Sequence, residues 1–147
     1  DATGAPDLAW ATLGAEVLAD EIAALGRTDS VIVVSFDVDA LAAFRRVAPD
    51  VATSPGLATL VDWYVGQPVA FAPTDVVFQV PPVYGGVEVL TRDVVARARA
   101  DGFDVWVWMD DSDEENAAFY ADLLDRGVDG LLVARPSVAL EVVAARD

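Results

Sequence analysis

The sequence predicts an α/β fold built on a parallel β-sheet. Five short segments rich in β-branched residues alternate with segments whose apolar residues recur at helical spacing. Such alternation is typical of βαβ units, which build parallel sheets. Mean hydropathy is +0.39, yet no apolar run approaches the ~20 residues of a membrane span. We therefore expect strands buried on both faces, within a single domain covering residues 1–147.

The first half of the chain is predicted to contain three helices. Apolar residues from Trp10 to Leu25 recur at helical spacing, and Gly26 ends this helix. Asp37 is expected to cap the helix Val38–Val47, and a third helix follows Gly56. The five predicted strands of the chain are 31–36, 51–53, 76–80, 105–108 and 130–133.

The second half adds three more helices. Thr91 is expected to cap the first of them, and Pro136 to open the last. Between them, Ser112 and Glu115 match a capping box, so the acidic residues there are interpreted as a helix start rather than as a calcium loop, which would need a glycine that is missing. Residues 81–86 are rich in Pro and Gly and are predicted to form a loop.

Two architectures fit this order of elements. One is a five-stranded doubly wound parallel sheet. The other is part of a (β/α)8 barrel, a fold that needs about 250 residues when complete. With 147 residues, the chain would supply about half of such a barrel.

The composition removes several kinds of chemistry. The sequence has no His, no Cys and no Lys, and its nine basic residues are all Arg. These absences exclude a Ser-His-Asp triad, a thiolate nucleophile, a His-ligated metal, a Schiff base and a P-loop within this chain. The net charge of −16 argues against binding to nucleic acid or to an anionic membrane surface.

Several blocks of sequence point to one family. They are VIVVSFD at 31–37, the helix at 90–102, VWVWMDD at 105–111, and LLDRGVDGLLVARP at 123–136. In this order and spacing they resemble the glycerophosphodiester phosphodiesterases. The combination of GVDG and Arg-Pro downstream of VWVW is the most specific part of the resemblance.

The resemblance implies a (β/α)8 barrel that hydrolyses small glycerophosphodiesters to glycerol 3-phosphate and an alcohol with a divalent metal, Mg²⁺ or Ca²⁺. Family members place their two catalytic histidines and their metal carboxylates in the first half of the barrel, and none of those motifs occurs here. The chain is therefore expected to be the C-terminal half, with the metal ligands outside it and no activity alone. Its open edges would need the N-terminal half or a second copy of this chain. Cytoplasmic and secreted locations both stay open.

The resemblance also suggests residues of a pocket wall. Trp108 would line the substrate pocket and contact the glycerol or alcohol portion, with Ser35, Phe36 and Gln79 as further candidates for the same wall. Arg135 is a candidate phosphate contact because it is a cation at a strand end. The alternatives are that Trp108 packs in the core and that Arg135 pairs with a neighbouring carboxylate.

The chain also departs from the family pattern at two strand ends. Where the family usually reads W-T-x-N, Met109 and Asp111 take the polar positions, and where it reads T-D-r-P, Ala134 replaces the Asp. Two interpretations remain: altered substrate choice, or a non-catalytic binding or assembly domain derived from the barrel. A flavodoxin-like receiver domain is disfavoured because it needs a Lys, which the chain lacks.

Overall fold

The computed structural model describes residues 8–109 and 115–146. This part of the chain is an α/β protein with parallel strands, which confirms the predicted fold class. No helix in the described ranges is both long enough and apolar enough to cross a bilayer. The helices are α1 Leu8–Ala24, α2 Val38–Val47, α3 Leu57–Tyr64, α4 Arg92–Ala100, α5 Ala117–Asp125 and α6 Pro136–Ala144. The strands are β1 Ile32–Val33, β2 Ala52–Thr53, β3 Val77–Val80, β4 Val83–Tyr84, β5 Val87–Glu88, β6 Asp104–Trp108 and β7 Gly130–Leu132.

The chain divides into two compact units, with the boundary between Val76 and Val77. In the first unit, β1 and β2 are parallel, with Val33 paired to Thr53. The backbone of Thr53 also exchanges hydrogen bonds with residues 74 and 76, which follow β2 along the chain. Helices α1 and α2 cover this small sheet with a cluster of buried apolar side chains. Folding as a single domain over residues 1–147 stays a prediction.

The second unit is built on a three-stranded parallel sheet in the order β3-β6-β7. Side chains alternate between its two faces. Val105 and Val107 are buried on one face together with Phe78, whose ring stacks on Phe103 at 4.3 Å between centroids. The other face carries Gln79 and the two tryptophans of β6, all half-buried.

Most helix ends were predicted correctly because their signals are local. The side chain of Asp37 accepts hydrogen bonds from the backbone N–H groups of residues 39 and 40, and Thr91 caps α4 in the same way. Pro136 is the first residue of α6. Gly26 has φ of 62° and follows α1, in the left-handed region that glycine adopts at low cost.

The first predicted strand is shorter and more exposed than expected. Residues 31–36 were expected to form a strand buried on both faces, whereas only Ile32–Val33 pair as β1, and both are half-buried. Val34 and Phe36 are exposed, Phe36 at 64%. Burial on both faces requires covering layers on each side of the sheet, and the exposed Val34 and Phe36 lack that cover.

Two local predictions were wrong. Residues 81–86 are not a simple loop, because β4 and β5 pair as an antiparallel hairpin. The turn is Gly85-Gly86, with φ of 58° and 79°, which suits a two-residue turn that needs positive φ at both positions. The capping box also fails: Asn116 caps α5 through the N–H of Phe119, and Glu115 precedes the cap. Ser112 lies outside the described residues.

Candidate functional site

The carboxyl ends of β3, β6 and β7 form one edge of the second unit's sheet, because parallel strands all end on the same side. Trp108 ends β6, and its indole N–H donates to the backbone oxygen of Gln79 on β3 at 3.3 Å. The ring therefore reaches from β6 towards β3 and is half-buried. Since its N–H is already satisfied within the sheet, Trp108 offers a ligand an apolar ring surface.

Trp106 lies on the same face of β6, two residues earlier. A Cβ atom added to Gly130 would stand only 2.8 Å from Cδ1 of Trp106, so the indole occupies the space that a side chain on β7 would need. Trp106 is half-buried rather than fully buried in a core. Gly130 is thus required by this packing.

Arg135 follows β7 at the same edge. Its backbone takes the capping position of α6, but its side chain makes no capping hydrogen bond. The side chain is exposed, and none of the ion pairs found within residues 8–109 and 115–146 involves it. Its cationic group is therefore placed where an anionic ligand could reach it.

A buried carboxylate holds the loop that carries Arg135. Glu115 is only 2% exposed and Tyr120 is 0% exposed. One oxygen of Glu115, Oε2, accepts the Tyr120 hydroxyl at 2.5 Å and the N–H of Ala134 at 2.8 Å. The Tyr120 hydroxyl thus holds the same oxygen that binds the loop. The backbone of the β7–α6 loop is therefore bound at Ala134 by a side chain from outside the loop.

This environment changes the acidity of the phenol. Burial is the main reason that the pKa of Tyr120 rises to about 12, and the hydrogen bond to Glu115 and its negative charge raise it further. The N–H and the charge of Arg135 act in the opposite direction and only partly offset the rise. Tyr120 is therefore a neutral hydrogen-bond donor at physiological pH.

Sequence reasoning missed both of these residues. Glu115 was interpreted as part of a capping box, and Tyr120 was not singled out. Their common role depends on Ala134, which is nineteen residues from Glu115 in sequence. No local sequence pattern signals such a contact. The one indication is that Glu115 lies just before the cap of α5, a position from which its carboxylate can bind another element.

Ser35 and Phe36 belong to the first unit, where they follow β1. The hydroxyl oxygen of Ser35 accepts the N–H of Asp37 at 3.1 Å, so it stabilises the turn into α2. The carbonyl oxygen of Phe36 accepts the N–H of Leu57 at 3.2 Å, and its ring is exposed. Their membership of one pocket wall with Trp108, Gln79 and Arg135 stays a prediction.

The first unit also contains a buried polar cluster that the sequence did not reveal. Thr53 donates to Oδ1 of Asp75 at 2.8 Å and accepts the Nε–H of Arg45 at 3.1 Å. Arg45 forms an ion pair with Asp75, and the second Asp75 oxygen accepts the N–H of Ala72 at 2.9 Å. Because these groups satisfy one another, the cluster stabilises the end of β2 and is not a candidate site.

The amino ends of the strands in the second unit are closed by an ion pair. Asp129, just before β7, accepts Nη2 of Arg99 at 2.5 Å and the N–H of Val105 at 2.9 Å. Partial burial works to raise the pKa of Asp129, but the hydrogen bonds from Arg99 and Val105 and the charge of Arg99 outweigh it, so this pKa is lowered. The charged side chains at this edge therefore bind one another and the backbone of the sheet.

A model of the glycerophosphoryl diester phosphodiesterase family matches residues 9–138. The chain belongs to this family. The match covers most of the sequence and confirms the resemblance seen in the sequence blocks. Within the GVDG block of this family member, Asp129 closes the amino edge of the sheet and Gly130 makes room for Trp106. Asp129 and Gly130 therefore both have a structural role.

Solved structures of similar fold bear related names. A protein described as a glycerophosphodiester phosphodiesterase from Galdieria sulphuraria is 19% identical with a TM-score of 0.69, covering 88% of this chain and 50% of that one. One described as a glycerophosphoryl diester phosphodiesterase from Silicibacter pomeroyi DSS-3 is 18% identical with a TM-score of 0.71, and the match covers 96% of this chain and 47% of that one. A glycerophosphodiester phosphodiesterase from Parabacteroides distasonis is 17% identical with a TM-score of 0.71, and the match covers 97% of this chain and 55% of that one. The family member described here spans about half the length of these structures. No curated protein matched the sequence.

The family implies a TIM-barrel-like α/β fold and, in general, dependence on a divalent metal. Among residues 8–109 and 115–146, no group of three or more carboxylates lies close enough together to hold a metal ion. The described residues therefore do not fit a metal site. That the ligands lie outside this chain stays a prediction.

Proposed function

We propose that this chain is the C-terminal half of a (β/α)8 barrel that hydrolyses glycerophosphodiesters to glycerol 3-phosphate and an alcohol. The chain supplies the later strands and part of the pocket wall. The catalytic histidines and metal carboxylates come from another segment, because this sequence contains no His and its described part contains no metal cluster. Family membership is the observation that carries the proposal.

The order of strand pairing supports a barrel over a doubly wound sheet. In the second unit each parallel strand lies beside the next parallel strand in sequence, in the order β3-β6-β7. In the first unit the bridge between Thr53 and Asp75 joins β2, rather than β1, to the segment that leads into β3. A doubly wound sheet reverses direction, so that its third or fourth strand lies beside its first, whereas a barrel continues sequentially.

Exposed apolar residues on the first and last helices support a missing neighbour. Leu25, at the end of α1, is 70% exposed, and Leu140 of α6 is 68% exposed. Among the helices between them, α4 and α5 carry no exposed large apolar residue, and those on α2 and α3 are less exposed than Leu25 and Leu140: Val38 at 38%, Val47 at 43% and Val61 at 39%. Outer helices of a complete barrel pack against neighbours on both sides. The N-terminal half is the better partner, because the −16 charge of each chain makes two copies repel.

Each candidate residue has a role in this proposal. The Trp108 ring contacts the glycerol or alcohol portion, beside the half-buried Gln79. The exposed guanidinium of Arg135 binds the phosphate. Ser35 and Phe36 contribute to the same wall. The substrate is a small glycerophosphodiester, and the metal is Mg²⁺ or Ca²⁺ held by residues outside this chain.

Activity assays of two proteins test this function. The 147-residue chain and the product of its entire coding region are each incubated with glycerophosphocholine and Mg²⁺ or Ca²⁺, and glycerol 3-phosphate release is measured. We expect release only from the product that contains His and metal-binding carboxylates. Release by the chain alone would contradict the proposal that the catalytic residues lie outside it.

A non-catalytic binding or assembly domain is the second candidate function. Apolar Met109 and Ala134 stand at two strand ends where family members usually carry polar groups, which favours loss of catalysis. Binding of glycerol 3-phosphate without turnover by the product of the entire coding region would support this candidate over the hydrolase.

A further inference from the structure

We propose that Glu115 and Tyr120 are positioning residues that hold the β7–α6 loop so that Arg135 faces an anionic ligand. The ligand-binding role of Arg135 rests on the function proposed above. The holding of the loop does not, because it follows from contacts within the second unit.

The contacts form a short chain from α5 to the loop. Oε2 of Glu115 accepts the N–H of Ala134 at 2.8 Å. The same oxygen accepts the Tyr120 hydroxyl at 2.5 Å, so Tyr120 orients the carboxylate. The loop backbone is therefore fixed at the residue before Arg135.

The start of α6 has no side-chain cap of its own. A helix start is commonly stabilised by a side chain at the capping position, but Arg135 at that position of α6 makes no such bond, and its side chain is exposed. The side-chain contact to the backbone just ahead of α6 comes from Glu115, which binds the N–H of Ala134.

Burial makes these contacts difficult to replace with water. Glu115 and Tyr120 are almost inaccessible to solvent, so an amide that loses its acceptor here is not readily solvated. A long Arg side chain has many rotamers, and ordering it on a ligand costs entropy. Fixing its backbone beforehand removes part of that cost.

Amide hydrogen exchange measured by NMR on the 147-residue chain tests the proposal residue by residue. E115A should speed exchange at Ala134 about tenfold, because this amide loses its acceptor. Y120F should speed it less, because Glu115 keeps its bond to Ala134 but loses the hydroxyl that orients it. E115Q should restore slow exchange at Ala134, because a Gln side-chain oxygen can still accept. The matched controls are Y84F and E141A, at exposed positions of the same unit.

The pattern of exchange decides the outcome. Equal acceleration throughout β6, β7 and α6 would overturn the proposal, because the pair would then support the whole unit. Exchange at Ala134 in E115A that matches the controls would overturn it as well. Titration with glycerol 3-phosphate is read separately: its failure to bind the wild-type chain contradicts the role of Arg135 in the proposed function, while the exchange pattern still tests the loop.

Discussion

The two edges of the β3-β6-β7 sheet use buried and charged groups differently. At the amino edge, Asp129 binds Arg99 and the backbone of Val105, and all three belong to strands or helices or directly precede them. At the carboxyl edge, Glu115, which accepts the Tyr120 hydroxyl, binds the backbone of a loop. The guanidinium of Arg135, on that loop, stays exposed.

This difference separates stability from function within one small sheet. The contacts at the amino edge join structural elements to one another, so removing them should lower stability without a direct effect on ligand binding. Contacts of the carboxyl edge hold a loop that presents an exposed cation, so their loss should be felt in binding as well as in stability. Barrels generally use the carboxyl ends of their strands for ligands.

The largest expected loss of stability comes from filling the space beside Trp106. In G130A the new Cβ would meet the Trp106 ring at 2.8 Å, and we expect a loss of about 1–3 kcal/mol. Urea unfolding measures it. The control is G14A, in exposed helix with no atom within 4 Å of the added Cβ, which should be neutral or stabilise by up to about 1 kcal/mol. Equal effects of both changes would contradict the packing described.

Removal of the Asp129 carboxylate should be the next most costly change. D129N weakens the bonds to Arg99 and Val105, and we expect a loss of about 1–2 kcal/mol at neutral pH. The pKa of Asp129 is lowered in the folded chain from 3.8, so the stability it contributes is present at neutral pH and lost as the pH falls below about 4. D129N should therefore differ most from wild type near neutrality and least in acid. D50N, at an exposed turn, is the control.

Alkaline pH should distinguish Tyr120 from an exposed phenol. Its pKa of about 12 in the folded chain exceeds the ordinary 10.0, so the unfolded chain ionises first and stability falls as the pH rises from about 10 towards about 12. Y120F should lack this part of the decline, and Y84F should retain it. Unfolding midpoints at several alkaline pH values measure the effect. An identical decline in Y120F and wild type would contradict the buried hydrogen bond.

Arg135 should have the smallest effect on stability. Because its side chain is exposed and forms none of the ion pairs of the described residues, R135A should stay within about 0.5 kcal/mol of wild type. Its affinity for glycerol 3-phosphate should fall about tenfold with the loss of a charge-assisted contact. R92A, which removes an exposed Arg from α4, should leave both properties unchanged. Calorimetric titration checks the comparison.

The sequence predicts local features better than distant ones. Asp37, Thr91 and Gly26 were assigned correctly, because a helix end involves residues only a few positions apart. The hairpin at Gly85-Gly86 was missed, although its turn chemistry is also local. Contacts such as Glu115 with Ala134 join separate elements, so no spacing rule could reveal them.

The candidate site shows the same limit. Trp108, Gln79 and Arg135 are candidates because they lie at the ends of predicted parallel strands. In the structure Trp108 is the last residue of β6, Gln79 is next to the last residue of β3, and Arg135 follows β7. These three strands are neighbours in one sheet. That Trp108 uses its N–H on the Gln79 backbone depends on sheet register, which the sequence does not encode locally. The residues that hold Arg135 in place were found only in the structure.

An NMR titration of the 147-residue chain with glycerol 3-phosphate tests the contrast between the two edges most directly. We expect chemical-shift changes to concentrate at the carboxyl edge, at Trp108, Ala134 and Arg135, and to leave Arg99 and Asp129 unaffected. Changes concentrated at Arg99 and Asp129, or spread evenly over both edges, would contradict it.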